Sequence, residues 1–300
     1  MTDRIYIDGV RQMLETLLRA ESIVTVKQDY IRSLLRARDP QSYKGTFGHA
    51  LLYAGSYGMA GAAVLSAKAC MRSGVGLLTV CTPPANNDIL QISVPEAMVR
   101  FTDDMYADSD LSRYSAIGAG PGLGKGDSQT VLLDKLLKNA ACPSVLDADA
   151  LNIISQNNYL LDYVPSGSVI TPHPGELARL TGKADNWSQM AEKAIALARS
   201  TGITVVIKGA PTVTVTPDGT AYINTTGNAG MATGGSGDVL TGIVLALLAQ
   251  GYSATDSAAI AVFIHGLAGD LAAQNLSQTA MTSADIISFL PQAWIKMEIL

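Results

Sequence analysis

Charge is scarce in this 300-residue chain: 16% of its residues are Asp, Glu, Lys or Arg, against 48% hydrophobic. Disorder requires the reverse balance, so the composition excludes a disordered chain and leaves material for a large buried core. Positive charge is the scarcer sign, with 21 Lys and Arg against 26 Asp and Glu and a formal net charge of −5. Nucleic-acid and anionic-membrane surfaces draw affinity from excess Lys and Arg, so neither partner is expected. Any anionic ligand must be met locally, by backbone N–H groups or a few placed cations. Cysteine is limited to Cys70, Cys81 and Cys142, which have no metal-ligand spacing; they read as reduced core thiols. The opening "MTDRIYIDGV" lacks the basic and apolar regions of a signal peptide. "GIVLALLA" (242–249) and "AAIAVFI" (258–264) fall short of the ~18 apolar residues of a membrane span. A soluble, cytoplasmic protein is expected.

Two phosphate motifs are also missing. "AGPGLGKG" (119–126) has Ala119 where a P-loop needs its first glycine and Gly126 where it needs a hydroxyl. The dinucleotide fingerprint fails at Leu123, three residues after Gly120.

What the chain does contain is alternation. Strand-like runs at 49–55, 76–82, 114–120, 142–148, 167–172 and 203–209 are mostly separated by helix-length segments such as 61–74 and 187–200. This pattern predicts an α/β protein with a mostly parallel sheet covered on both faces. "PTVTVTPDGTAYINTT" (211–226) reads as an antiparallel hairpin at one side, followed by helices at 236–250, 255–274 and 283–298. No linker, repeat or low-complexity segment interrupts the pattern. Residues 1–27 are expected as an N-terminal helical arm before a single domain over 28–300. Within 1–40, helical spacing covers 10–23 and a second short helix at 29–40 is stopped by Pro40.

Ligands of open α/β sheets bind at the carboxyl ends of the strands. That edge should collect Gly55-Ser56, Gly118 to Gly122, Asp147 with Asp149, His173, and Lys208-Gly209. "GNAGMATGGSGDVLTG" (227–242) crowds glycines against a helix start. Gly234, Gly235 and Gly237 permit close backbone approach, Ser236 adds a hydroxyl, and Val239, Leu240, Ile243, Val244, Leu247 and Leu248 mark one apolar helix face. Unpaired N–H groups and a dipole of roughly +0.5 charge at such a mouth favour an anion. Asp238 sits in the first turn, where the dipole favours its ionised form and a base role is sensible. Asp is equally a common first-turn cap, so spacing alone leaves both readings open. A lone His is more often packed than a ligand, but Pro172 and Pro174 frame His173 on both sides. His49 and His265 have no such frame and read as structural.

In combination, "KGTFGHALLYAGS" (44–56), "GAGPGLG" (118–124), "LDADALN" (146–152), "TPHPGELARL" (171–180), "VVIKGAPT" (205–212) and the glycine stretch closely resemble the ADP/ATP-dependent NAD(P)H-hydrate dehydratases of the ribokinase-like superfamily. The likeness runs in order from about residue 28 to 298. Ala229 stands where many members have Pro, and Ser236 where Thr is common. The resemblance implies a three-layer α/β/α sandwich and a lyase that repairs NADHX and NADPHX. A nucleotide would phosphorylate the ring hydroxyl and phosphate would then be eliminated. Asp238 would be the catalytic base, with Gly235 and Gly237 in the anion hole. Lys208, Gly209, Ala210, Pro211, Thr212 and Gly237 would bind the nucleotide; Ala62, Gly122, His173 and Asp238 would bind NAD(P)HX. Mg²⁺ and ADP or ATP are implied, with ADP favoured and no protein metal ligands, as are a homotetramer and a separate NAD(P)HX epimerase, since the residues before the likeness cannot hold one. The same glycine region also occurs in ribokinase-like kinases of small vitamin precursors, the alternative enzyme reading. A nucleotide-binding scaffold would require a broken catalytic position, whereas Asp238 stands intact.

Overall fold

In the computed structural model, which describes residues 23–107 and 110–298, the apolar runs assemble into one sheet. Its strands are β1 (Ile23–Val26), β2 (His49–Tyr53), β3 (Leu77–Thr82), β4 (Met98–Phe101), β5 (Ala116–Ala119), β6 (Ser144–Leu146), β7 (Val169–Ile170), β8 (Thr204–Ile207), β9 (Val213–Val215) and β10 (Ala221–Asn224). They lie in the order β1-β10-β9-β8-β7-β6-β5-β2-β3-β4. From β8 across to β4 every neighbouring pair is parallel, whereas β9 is antiparallel to both β8 and β10. The helices are α1 (Gln28–Leu34), α2 (Ala60–Arg72), α3 (Asn87–Ser93), α4 (Thr102–Ala107), α5 (Asp127–Asn139), α6 (Ala148–Gln156), α7 (Pro174–Thr181), α8 (Trp187–Thr201), α9 (Ser236–Ala249), α10 (Ala254–Leu276) and α11 (Ser283–Met297).

Parallel strands need cover on both faces, because right-handed crossovers place helices on each side. Two apolar cores result. One joins alternate strand residues such as Leu52 and Val206 to α2, α9, α10 and α11. The other joins Leu51 and Val205 to α5, α6, α7 and α8. This is the expected three-layer α/β/α sandwich, with a hairpin at β9–β10.

Several local expectations need correction. Residues Ile23–Val26 of the supposed helical arm are a strand, paired parallel with β10; the β-branched run Ile-Val-Thr-Val suits an edge better than a helix. The hairpin lies at one side of the sheet as expected, with β1 added beyond it. The remainder of the arm, 1–22, lies outside the described residues. The second short helix ends at Leu34, well before Pro40. Beyond it the chain extends so that Arg36 stacks on Tyr252 and Arg38 on Phe47, while Arg38 Nη2 donates to the Gly74 carbonyl at 2.6 Å.

Helix α9 does not bury one face only: every residue from Val239 to Ala249 is buried. It lies between the sheet and α2, and a β-carbon at Gly242 would collide with the Ser66 carbonyl oxygen of α2. Helix α10 is, contrary to the apolar-run reading, long and apolar enough to cross a membrane, with a mean hydropathy of 1.3 over its best window. Yet 72% of that window is buried inside the protein, as in a core helix.

Gly242→Ala tests the close approach of α9 and α2. Alanine alone would gain ~1 kcal/mol of helix propensity, but overpacking backbone against backbone costs about 1–3 kcal/mol and dominates. A lower urea midpoint is expected; an unchanged or higher one would refute the approach.

Candidate active site

The expected residues gather at the carboxyl edge of the parallel strands, where short hydrogen bonds tie the loops together. Gly55 N donates to Pro121 O at 2.8 Å, and Gly120 N to Tyr53 O at 3.1 Å. Gly122 has a φ of 58°, and a β-carbon there would stand 2.9 Å from the Ala62 methyl. The two expected NAD(P)HX contacts, Ala62 and Gly122, thus touch one another, and the small side chains let the loop after β5 reach the start of α2. Further along the edge, Lys208 N donates to Pro172 O at 2.9 Å, joining the "TPHP" and "KGAPT" turns. Within the latter, Thr212 Oγ1 donates to Gly209 O at 2.9 Å, and the Ala210–Pro211 bond is cis.

A charged cluster occupies the middle of the edge. Asp147, 1% exposed, caps α6 by accepting from Ala148 N at 2.8 Å. Its Oδ1 also accepts from Lys208 Nζ at 2.6 Å, and its Oδ2 from Thr241 Oγ1 at 2.8 Å. Lys208 Nζ lies 3.7 Å from Glu176 Oε2. Burial pulls the Lys208 pKa down, but Asp147, Glu176 and Asp238 outweigh it and hold the ammonium above its ordinary value. Asp147, which the sequence places on this edge without a role, is central here. Asp149 is engaged elsewhere, its Oδ2 accepting from Gly124 N at 2.9 Å. Glu176 went unnoticed because its signal, a carboxylate three residues after His173, reads as an ordinary capping box.

That box is real. His173 Nδ1 accepts from Gly175 N at 3.0 Å and Glu176 N at 3.3 Å, and Glu176 Oε2 accepts from His173 N at 2.8 Å. His173 therefore caps α7, and its half-exposed Nε2 edge, 3.4 Å from Glu176 Oε1, is the part left for a ligand. His49, read as structural, has Nε2 2.8 Å from Thr79 Oγ1.

The glycine loop ends at Gly235, whose φ of 90° turns the chain into α9. The N–H groups of Gly234, Gly235, Gly237 and Asp238 find no backbone acceptor among the described residues, as the first turn of a helix requires. Ser283 Oγ fixes the loop by donating to Gly234 O at 2.7 Å, and Ser236 Oγ lies 3.3 Å from His265 Nε2. A β-carbon at Gly237 would stand 3.4 Å from Lys208 Nζ and 3.5 Å from Asp147 Oδ2, so the helix mouth faces the charged cluster directly.

Asp238 stands at that mouth, partly buried, with no hydrogen-bond donor on its carboxylate among the described residues. The dipole argument predicted a readily ionised group. Instead, burial pushes the carboxyl up to about 7; Asp147 and Asp149 push the same way and Lys208 opposes. A helix dipole contributes only ~0.3–1 kcal/mol, less than desolvation beside like charges. A carboxyl titrating near neutrality, free of partners and beside unpaired N–H groups, can take a proton from an attacking hydroxyl. No group of three His, Cys, Asp or Glu side chains is arranged to hold a metal among the described residues. A cleft of about 350 Å³ along α7, bordered by Leu177, Thr181 and Met190, includes none of the charged cluster.

A parallel sheet with an antiparallel flank, and a glycine loop opening a buried helix at its carboxyl edge, define a ribokinase-like protein. A solved ribokinase-like superfamily protein from Enterococcus faecalis superposes with a TM-score of 0.84 at 30% identity, over 92% of this chain and 97% of that one. Within that class the chain belongs to the NAD(P)H-hydrate dehydratase family, whose model matches residues 50–292. It is 37% identical to the ADP-dependent (S)-NAD(P)H-hydrate dehydratase of Bacillus subtilis, over 90% of this chain and 98% of the relative. The ADP/ATP-dependent NAD(P)H-hydrate dehydratase of Bacillus subtilis, co-crystallised with ATP and Mg²⁺, superposes with a TM-score of 0.81 at 34% identity, covering 93% of this chain and 100% of that one. A bifunctional NAD(P)H-hydrate repair enzyme of Moorella thermoacetica is 38% identical over 90% of this chain, which spans only 53% of that relative.

The raised pKa of Asp238 carries a stability consequence. Between pH about 4 and 7 the unfolded chain ionises Asp238 while the folded chain holds its proton, so this group's contribution falls as pH rises through that window. Asp238→Asn should therefore stabilise the protein at pH 8 by about 1–2 kcal/mol and by much less at pH 4, read from urea midpoints. Equal effects at both pH values would contradict the assignment.

Proposed function

We propose that this chain dehydrates (S)-NADHX and NADPHX to NADH and NADPH at the expense of ADP or ATP, with ADP preferred. The observation that carries the reading is Asp238: an unbonded carboxyl, pushed up to about 7, at the mouth of α9 and facing Lys208. Asp238 takes the proton of the ring hydroxyl as its oxygen attacks the terminal phosphorus, and the bridging P–O bond breaks to release AMP from ADP or ADP from ATP. The free N–H groups of Gly234, Gly235 and Gly237 receive the charge that develops on the phosphoryl oxygens; losing one such donor typically costs ~10²–10³-fold. Phosphate then leaves with the C–O bond electrons, a proton departs from the neighbouring ring carbon, and the dihydronicotinamide is restored. The "KGAPT" turn, Lys208 to Thr212, lies beside the loop where the nucleotide's phosphates would end. His173, its Nδ1 already filled by two N–H groups, presents Nε2–H to an acceptor on the hydrated cofactor beside Ala62 and Gly122.

Mg²⁺ fits as a companion of the nucleotide rather than a resident of the protein. Both Asp147 oxygens are occupied by Lys208, Ala148 and Thr241, so phosphate oxygens and water would hold the ion beside the carboxylates. When bound it neutralises phosphate charge. A homotetramer and a cytoplasmic location complete the proposal; the family resemblance supports the first, and the unpaired, mostly buried cysteines support the second.

The test is to supply NADHX, ADP and Mg²⁺ and follow both the return of dihydronicotinamide absorbance and phosphate release, which should match mole for mole. A stable phosphorylated product without phosphate release would favour the vitamin-precursor kinase. Activity needs ionised Asp238, so kcat/KM should fall tenfold per pH unit below about 7. Asp238→Asn should lower kcat by ~10²–10⁴-fold with nucleotide affinity retained; lost nucleotide binding with normal turnover of the residual complex would remove the base role.

A further inference from the structure

The glycine loop does not hold itself in place. Its approach, from Thr226 onward, lies along one stretch of α10. Thr226 Oγ1 donates to Phe263 O at 2.8 Å. The Asp270 carboxylate accepts from Gly227 N at 3.0 Å and from Asn228 Nδ2 at 2.9 Å. A β-carbon at Gly266 would collide with the Thr226 backbone, so that glycine is needed for the loop to lie this close, while Gly269 gives room to the Met231 side chain. On the same stretch, His265 Nε2 meets Ser236 Oγ at 3.3 Å. Ser236 is the first residue of α9, between Gly235 and Gly237 of the anion hole.

A histidine here can act in two ways. Burial lowers its pKa to about 4; hydrogen bonding to the Ser236 backbone opposes this, while the Lys208 ammonium adds to it. The ring is thus neutral near pH 7 and carries one hydrogen. Were its lone pair to face Ser236, the hydroxyl hydrogen would turn back into α10 and serine lone pairs would confront an arriving phosphoryl oxygen. With the hydrogen on Nε2, Ser236 Oγ accepts from the ring and keeps its own hydrogen free. Only the second arrangement adds a donor to the anion hole.

We propose that His265 is a positioning residue: it donates Nε2–H to Ser236 and so aims the Ser236 hydroxyl at the phosphoryl group held by residues 234–238. The inference rests on the phosphoryl-transfer reading above and adds a side-chain donor to the backbone ones. His265 itself touches no substrate. Its neutrality matters, because the ring has to supply one donor without adding a second cation beside Lys208.

The test is a double-mutant cycle with His265→Phe and Ser236→Ala, plus His265→Gln, whose amide can supply an equivalent N–H. With NADHX, ADP and Mg²⁺, each of the first two variants should lower kcat by about 10–100-fold, with KM for NADHX within about threefold. The double variant should be no slower than Ser236→Ala alone, and His265→Gln should recover most of the rate. Multiplying effects in the double variant, a change confined to KM, or a His265→Gln variant as slow as His265→Phe would overturn the inference. Should His265→Phe fail to fold, His265→Gln against His265→Asn, whose shorter amide cannot reach Ser236, decides the matter. Should wild-type protein not turn over NADHX, that failure belongs to the substrate reading. The same cycle is then read on affinity for ADP with aluminium fluoride, a phosphoryl mimic. Singly, each variant should weaken that complex about tenfold and jointly no further; additive or absent effects overturn the proposal.

Discussion

One partly buried ammonium faces three carboxylates, and much of the chemistry at the strand edge follows from that imbalance. Lys208 is held 2.6 Å from Asp147 and 3.7 Å from Glu176, leaving Asp238 across the helix mouth without a partner of its own. Burial disfavours the Asp238 anion, and two carboxylates already outweigh the one cation, so a third negative charge is penalised further. Asp238 consequently titrates near neutrality rather than as an ordinary surface acid. A permanently ionised carboxylate would repel phosphates and be a weak base. A carboxyl poised near 7 does neither to the same degree.

The rest of the fold keeps that cluster in place and dry. Helix α9 is buried from Val239 to Ala249, so its amino end is the part open to a ligand. Buried helices pack closely only where small residues permit; Gly242 against Ser66 of α2, and Gly122 against Ala62, supply that closeness. Thr241, one turn into α9, reaches back to Asp147 at 2.8 Å. A single hydrogen bond thereby couples the helix that carries Asp238 to the strand end that carries its electrostatic partner. On the other side, α10 grips the glycine loop through Asp270, Gly266 and His265. Anion hole and charged cluster are thus clamped by two neighbouring helices of one layer, a rigid support of the kind that preorganised charge stabilisation requires.

Much of this was legible in the residues. Strands alternating with helices, each parallel strand ending in glycine or a polar side chain, located the working edge, because backbone covalent order forces successive crossovers to deliver strand ends to the same side. The glycine crowding before an apolar run marked the mouth of α9, since close backbone approach leaves its trace in composition. The antiparallel flank was readable from Pro-Asp-Gly between alternating Thr and Val. Ala62, Gly122, His173, Lys208 and Asp238 do converge on one edge.

Other features exist only after folding. The direction of the Asp238 pKa, the place of Asp147 and Glu176 around Lys208, the contact of His265 with Ser236, and the strand formed by Ile23–Val26 all join residues distant along the chain. Asp147 and Lys208, for example, are separated by 61 positions, and Ser236 and His265 by 29. Local pattern records what a backbone segment must do: turn, coil, extend or approach. It carries no record of which charges will meet or how much water will be removed from them. Desolvation and Coulomb interaction depend on distances in space, and the packing of three layers alone sets those distances.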